Sequence, residues 1–206
     1  SRLDVEGLAF ILRHSESKLL LVDSEFGALA LKAVALLDHP PVLIDINDLL
    51  GPKTGAVGAL DYESLLAEGD PKFEGLWPVD EWEPIALNYT SGTTGDPVLS
   101  HRGTYLMSLL QLTDWVVPKA PIYLWTLPMF HVNGWCFTWA ITAAAGTHVC
   151  LRKVSAAAIY DAIAVHKADH FCAAPTVMGM LVNAREDERR PLPGTVRVLT
   201  AGSPPP

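Results

Sequence analysis

The sequence predicts an α/β fold of layered, mainly parallel sheets covered by helices, and three observations carry that expectation. Short apolar runs alternate with segments of helical periodicity along most of the 206 residues. Hydrophobic side chains make up 50% of the chain and charged ones 18%, enough to bury a substantial core and too apolar for a disordered polypeptide. A turn rich in Gly, Ser and Thr follows directly on one apolar run, the place where parallel α/β sheets hold their ligands.

The elements follow in order. Leu8, Ile11 and Leu12 recur at helical spacing ahead of an apolar run over 19–22 closed by Asp23, which reads as helix then buried strand. Ala and Leu residues favour a helix over 25–37, and 41–46 gives a second strand. Residues 51–58 form a glycine-rich loop, 62–68 a short helix, and 70–84 an acidic, aromatic, proline-punctuated surface connection. That connection separates two expected subregions, 1–69 and 85–206.

Beyond it the beat becomes regular. Strands are expected over 85–89, 123–127, 148–151, 170–173 and 196–200, and helices over 105–115, 132–144, 155–166 and 175–183. Ser155 supplies an N-cap, and Pro175 stands at the first helical position, where its missing N–H costs nothing. No internal repeat is visible.

Composition also excludes. Fifteen Lys and Arg against 23 Asp and Glu give a formal net charge of -8, so a protein that grips nucleic acid by neutralising phosphates is not expected. The three cysteines, Cys136, Cys150 and Cys172, have no metal-ligand spacing and read as reduced core thiols of an intracellular protein, with no metal site. The chain begins without a visible signal peptide. No Asp, Glu, Lys or Arg occurs from Ala120 to Leu151, a run long enough to span a bilayer. Pro121, Pro128, Gly134 and Gly146 break it into strand, turn and helix, so it is read as core and not as a membrane span.

The turn after the strand ending at Tyr89 reads Thr90-Ser91-Gly92-Thr93-Thr94-Gly95-Asp96-Pro97. Glycines let successive N–H groups converge, and short hydroxyls add donors, which together make a cradle for phosphate oxygens. The bland alternative is a solvated turn built of ordinary loop residues. Neither Gly92 nor Gly95 is followed by Lys and Ser or Thr, so the Walker A loop is excluded, and the three-glycine dinucleotide fingerprint is missing. Ser15-Glu16-Ser17-Lys18 matches a serine-acylase spacing but lacks its companion motifs.

The string Tyr89-Thr90-Ser91-Gly92-Thr93-Thr94-Gly95-Asp96-Pro97, followed by Leu99-Ser100-His101-Arg102-Gly103, resembles the phosphate loop of the AMP-forming acyl-activating enzymes, the family of acyl-CoA synthetases, luciferases and adenylation domains. At residue frequencies of ~7 percent, six identities in a row arise by chance about once in 10⁷ starting points. Pro128-Met129-Phe130-His131-Val132-Asn133-Gly134-Trp135 is similar to the family's Pro-x-x-His segment beside the acyl pocket. Ala201-Gly202-Ser203-Pro204 resembles its small-residue turn against adenine. The opening of the chain, through His14-Ser15 to Val22-Asp23, is similar to the plant-type members that handle short, medium or aromatic acids.

The resemblance implies ATP, magnesium and coenzyme A as cofactors and a small carboxylic acid as substrate, in the cytoplasm or the peroxisome. Thr90, Ser91, Thr93 and Thr94 would hold phosphates, with Gly92 and Gly95 allowing close approach; Gly202, Ser203 and Pro204 would meet adenine. His131 would lie near the carboxylate or adenylate in a catalytic role, with Asn133, Gly134 and Trp135 beside the acid, and His101 would support the phosphate loop. Read from the residues alone, His131 is a satisfied core histidine, and Trp125, Trp135, Phe137 and Trp139 are core aromatics first, with walling of an acyl pocket as the alternative for some of them.

Two departures stand out. The family's loop continues Gly-x-Pro-Lys-Gly-Val, whereas Pro97 runs straight into Val98, so about three positions, a lysine among them, are missing. They are either truly deleted, which removes a cation opposite the triphosphate, or lost from view at a loop tip. The family's later Tyr-Gly-x-Thr-Glu motif, ribose-binding acid and C-terminal domain with its lysine have no counterpart here. The chain is therefore expected to be part of an N-terminal domain, inactive alone. A noncatalytic nucleotide-binding module is the rival reading.

Overall fold

Asp4 stands one residue ahead of the first periodic segment, and its carboxylate accepts the Gly7 amide at 2.7 Å, starting α1 (Val5–His14). In the computed structural model, which describes residues 3–52, 54–89 and 98–201, the chain divides into two compact units, Ser1–Trp77 and Pro78–Pro206. In the first unit β1 (Leu19–Asp23), β2 (Val42–Ile46) and β3 (Leu60–Asp61) form a parallel sheet in that order. A 3₁₀ turn (Ser24–Phe26), begun by the Asp23 carboxylate accepting the Glu25 amide, precedes α2 (Gly27–Val34), so the helix is shorter at both ends than its Ala/Leu composition suggested. Asp45, buried on β2, accepts the amides of Val57 and Gly58 at 3.0 and 2.9 Å and thereby brings β3, a strand too short for periodicity to show, alongside β2. Asp61 caps α3 (Tyr62–Ala67).

In the second unit the strand expected at 85–89 is β4 (Pro84–Leu87), and it does not join the parallel series. It pairs antiparallel with β5 (Val98–Ser100) in a sheet of two strands. Ser100 caps α4 (His101–Asp114), which begins four residues earlier than expected because His101 and Arg102 donate their amides to the Glu83 and Glu81 carbonyls at 3.1 and 2.7 Å. The Arg102 guanidinium also pairs with the Glu81 carboxylate and lies 5.5 Å over the Trp82 ring. The acidic, aromatic connection thus clamps the start of a helix.

The main sheet holds β6 (Ile122–Trp125), β7 (Thr147–Cys150), β8 (His170–Ala173) and β9 (Arg197–Thr200), all parallel in the order β7-β6-β8-β9. Side chains alternate across it. Tyr123, Trp125 and Cys172 pack on one face with Phe137, Ala140 and Ile141 of α6 (Phe137–Ala143). Leu124, Phe171 and Ala173 pack on the other with Ile159, Ala162 and Ile163 of α7 (Ala156–His166), while α8 (Pro175–Val182) adds Val177, Met178 and Leu181. Ser155 caps α7, its hydroxyl accepting the Ala158 amide. The run without charge is therefore spent on two strands of the sheet and the short helices between them, and among the described residues no helix is long and apolar enough to cross a membrane.

The thiols divide. Cys136 and Cys172 are buried, whereas Cys150 is exposed on the edge strand β7, so it does not belong to the core as expected. Burial pushes the Cys172 thiol up to about 12. At the foot of the sheet Asp169 accepts both the Ile122 amide, at 2.9 Å, and Nδ1–H of the fully buried His170, at 2.7 Å, tying β6 to β8. Asp169→Ala leaves both donors without their acceptor and should cost about 2 to 4 kcal/mol of unfolding free energy, read from urea titration of the intact protein.

Candidate functional site

The segments after β6, β8 and β9 leave the parallel sheet from one edge, since all three strands run the same way. After Trp125 the chain passes through Thr126, whose hydroxyl donates to the Cys172 carbonyl, to a turn closed by the His131 amide on the Pro128 carbonyl at 3.2 Å. Phe130 and His131 stand exposed at this turn, so His131 is not the buried histidine that its apolar neighbours suggested.

A single helix over 132–144 does not form. The segment closes short helical hydrogen bonds in α5 (Val132–Trp135), but Asn133, Gly134, Trp135 and Cys136 have φ of 43°, 60°, 55° and 64°, a left-handed run that reverses the chain before α6 begins. Asn and Gly tolerate this conformation; the indole of Trp125 makes glycine the residue that fits at 134. A Cβ on Gly134 would lie 2.5 Å from the Trp125 ring. The run is tied to its surroundings by Thr138 Oγ1, which donates to the Asn133 carbonyl at 3.2 Å, and by Gln111 Nε2, which donates to the Trp135 carbonyl at 3.3 Å.

Between this turn, β5 and α4 lies a cavity of about 500 Å³. Its walls are Ser100, Thr104, Met107 and Gln111, one helical face, and Trp135 and Cys136 of the left-handed run. The lining is largely apolar, and burial raises the Cys136 thiol above its ordinary range, so that group is neutral. Two buried polar atoms, Thr104 Oγ1 and Asn133 Oδ1, have no hydrogen-bond partner among the described residues. Asn88 Nδ2, shortly before the expected phosphate loop, and Thr200 Oγ1, at the end of β9, share that condition. Asp45 Oδ1, Tyr123 Oη and His170 Nε2 also lack a partner among the described residues, so this condition does not by itself mark a site.

Of the residues expected at the site, the structure brings His131, Asn133, Gly134 and Trp135 together at the head of β6, with Trp135 in the cavity wall. Thr90, Ser91, Gly92, Thr93, Thr94, Gly95, Gly202, Ser203 and Pro204 lie outside the described residues. His101 opens α4 beside the end of β5. Trp125 and Phe137 are buried, whereas Trp135 and Trp139 are partly exposed. Sequence reasoning missed Thr104, Met107 and Gln111, although their spacing from Ser100 is a helical stripe. Among the described residues no group of three or more His, Cys, Asp or Glu is placed to hold a metal ion.

A family model described as AMP-binding enzyme matches residues 1–206, and the chain belongs to that family. It is 48% identical to an acetate–CoA ligase of Humulus lupulus, 46% identical to a peroxisomal acetate/butyrate–CoA ligase of Arabidopsis thaliana and 44% identical to a peroxisomal trans-cinnamate:CoA ligase of Petunia hybrida. Each comparison covers 100% of this chain and 39% of the relative, so the chain spans about two fifths of the length of these proteins. The fold is that of the N-terminal domain of FACL13 from Mycobacterium tuberculosis, with a TM-score of 0.76 at 20% identity over 100% of this chain and 50% of that one. A long-chain-fatty-acid CoA ligase described as putative, from Rhodopseudomonas palustris, gives 0.77 at 17% identity, over 98% of this chain and 49% of its own.

The contact between Gly134 and Trp125 generates a sharp expectation. Gly134→Ala adds one methyl group at a position with positive φ and no room, and should lower stability by about 1 to 3 kcal/mol, measured by thermal unfolding.

Proposed function

We propose that the intact protein is an AMP-forming acid–thiol ligase, which activates a small carboxylic acid with ATP and passes the acyl group to coenzyme A. The observation that carries the reading is the family match over the whole chain, joined to a largely apolar cavity walled in part by the segment that follows β6, of the size that small-molecule sites have. The relatives named above support a small acid and coenzyme A, and of the cytoplasm and the peroxisome the two peroxisomal ones support the peroxisome. This chain supplies part of the N-terminal domain, in subregions 1–69 and 85–206 joined by 70–84.

In the proposed reaction a carboxylate oxygen attacks the α-phosphorus, the bond to the bridging oxygen breaks, and pyrophosphate leaves with the electron pair. The thiol sulfur of coenzyme A then attacks the acyl carbon and gives up its proton to solvent, and AMP departs with the electron pair of the broken acyl C–O bond. No nucleophilic side chain is needed, so the protein's work is orientation and charge stabilisation. Thr90, Ser91, Thr93 and Thr94 hold the β and γ phosphates, Gly92 and Gly95 permit close approach, and Gly202, Ser203 and Pro204 meet adenine. His131 contacts the carboxylate or the adenylate, while Asn133, Gly134 and Trp135 border the acid. Magnesium would accompany the nucleotide, whose phosphate oxygens are the usual partners of that ion.

One observation favours a second reading, a noncatalytic nucleotide-binding module: Pro97 meets Val98 where the family carries its lysine. Exchange of labelled pyrophosphate into ATP, driven by a panel of small acids, separates the two. The ligase exchanges label; the module binds ATP in calorimetry without exchange. Thr94→Val should reduce adenylation about 10- to 100-fold with unchanged unfolding, because a hydrogen bond to a charged group contributes about 1.5 to 3 kcal/mol. His131→Ala should likewise impair kcat/KM for adenylation more than it shifts Tm, since the imidazole is exposed and makes no capping hydrogen bond to α5. Normal kinetics in either variant removes that residue from the site.

A further inference from the structure

The wall of the cavity rests on a hydrogen-bonded chain that starts outside it. Trp125 Nε1–H donates to His148 Nδ1 at 2.9 Å, and His148 Nε2 meets Thr142 Oγ1 at 3.0 Å. Thr142 Oγ1 donates in turn to the Thr138 carbonyl at 2.7 Å. The directions are forced. An indole nitrogen only donates, so His148 Nδ1 is unprotonated, Nε2 carries the hydrogen, and the Thr142 hydroxyl receives it. The opposite edge of the same indole is the surface on which Gly134 sits.

We propose that His148 is a positioning residue for the acid site: by accepting the indole N–H of Trp125 it fixes the ring that seats Gly134, and so holds the left-handed turn that walls the cavity. The kinetic consequence rests on the ligase reading; the positioning itself does not. Between Ala120 and Leu151 no Asp, Glu, Lys or Arg occurs, so β6, α6 and β7 bring no formal charge to this imidazole. The other titratable groups on the elements around it are Tyr123, its register partner on β6, Cys136 ahead of α6 and Cys150 on its own strand; desolvation, complete for Tyr123 and only partial for the exposed Cys150, raises all three, leaving them neutral.

Burial lowers the pKa of His148. The neutral form therefore persists further into acid than that of an ordinary histidine, and it is lost as pH falls below about 6.5 through the lowered value. Protonation places a second N–H against the indole N–H and breaks the chain at its first link.

The test uses the intact protein and three substitutions. His148→Leu removes the acceptor, His148→Asn keeps one in an amide oxygen that does not titrate, and Trp125→Phe removes the donor while keeping a ring. His148→Leu should raise KM for the acid about 3- to 10-fold with little change in kcat or in KM for ATP. His148→Asn should restore it, and should flatten the rise in acid KM that the parent shows on acidification; His131 is common to both proteins, so the difference isolates His148. In a Trp125→Phe background His148→Leu should add nothing.

Without substrates, amide hydrogen exchange at Gly134 and Cys136 should quicken in His148→Leu and not in His148→Asn. Equal effects of Leu and Asn, additivity with Trp125→Phe, or unaltered exchange at Gly134 and Cys136 would overturn the proposal. If His148→Leu does not fold, Trp125→Phe alone should produce the same acid KM shift and the same faster exchange, and a Trp125→Phe protein with neither change overturns the proposal. A parent that exchanges no pyrophosphate with any acid overturns the ligase reading, while amide exchange still decides the role of His148.

Discussion

A parallel strand in the interior of a sheet has no side facing water, and β6 lives under that constraint. Tyr123 and Trp125 must fill the space under α6, and Leu124 the space under α7, so strand, neighbours and covering helices are determined together. Everything at the ligand edge inherits this placement. Thr126 is anchored to β8 by its hydroxyl, Trp125 presents one edge to Gly134 and the other to His148, and the segment carrying His131 has its stem fixed before it turns. The precision of the site is thus borrowed from core packing, the reason that rigid strands serve better than free loops as supports.

Much of this was legible in the sequence, and the particular failures are instructive. Strand β8 is read correctly because a fully buried strand is a short unbroken apolar run. Ser155 and Pro175 mark helix starts through local hydrogen-bond chemistry that needs no tertiary context. The left-handed run at 133–136 escaped because apolar residues continue through it at nearly helical spacing. Asn133-Gly134 is a turn dipeptide and was the available signal. Strands β3 and β5, of two and three residues, are too short to carry a period, and what makes them strands is a partner elsewhere in the chain. The pairing of Trp125 with His148 is a contact across strands of which neither residue gives notice.

Helix α4 joins two kinds of information. Its start is set by the Glu81 and Glu83 carbonyls and by the Ser100 cap, and its phase, once set, decides which residues line the cavity. From Ser100 onward Thr104, Met107 and Gln111 come to one face, and Gln111 then reaches the carbonyl of Trp135. A change of one residue in where this helix begins would rotate that face by about 100° and present a different surface to the ligand. The clamp on Arg102 is therefore remote from the cavity in chemistry and close to it in effect.

The stretch from Ala120 to Leu151, empty of formal charge, supplies two strands of the sheet, the helix between them and one wall of the cavity. With its two histidines neutral, its contribution to the local electric field is limited to peptide and side-chain dipoles. A charge brought by a ligand therefore meets no ion-pair partner from Asp, Glu, Lys or Arg of this wall. Such a wall tells one neutral group from another mainly by shape, and it leaves the handling of charge to whatever stands opposite.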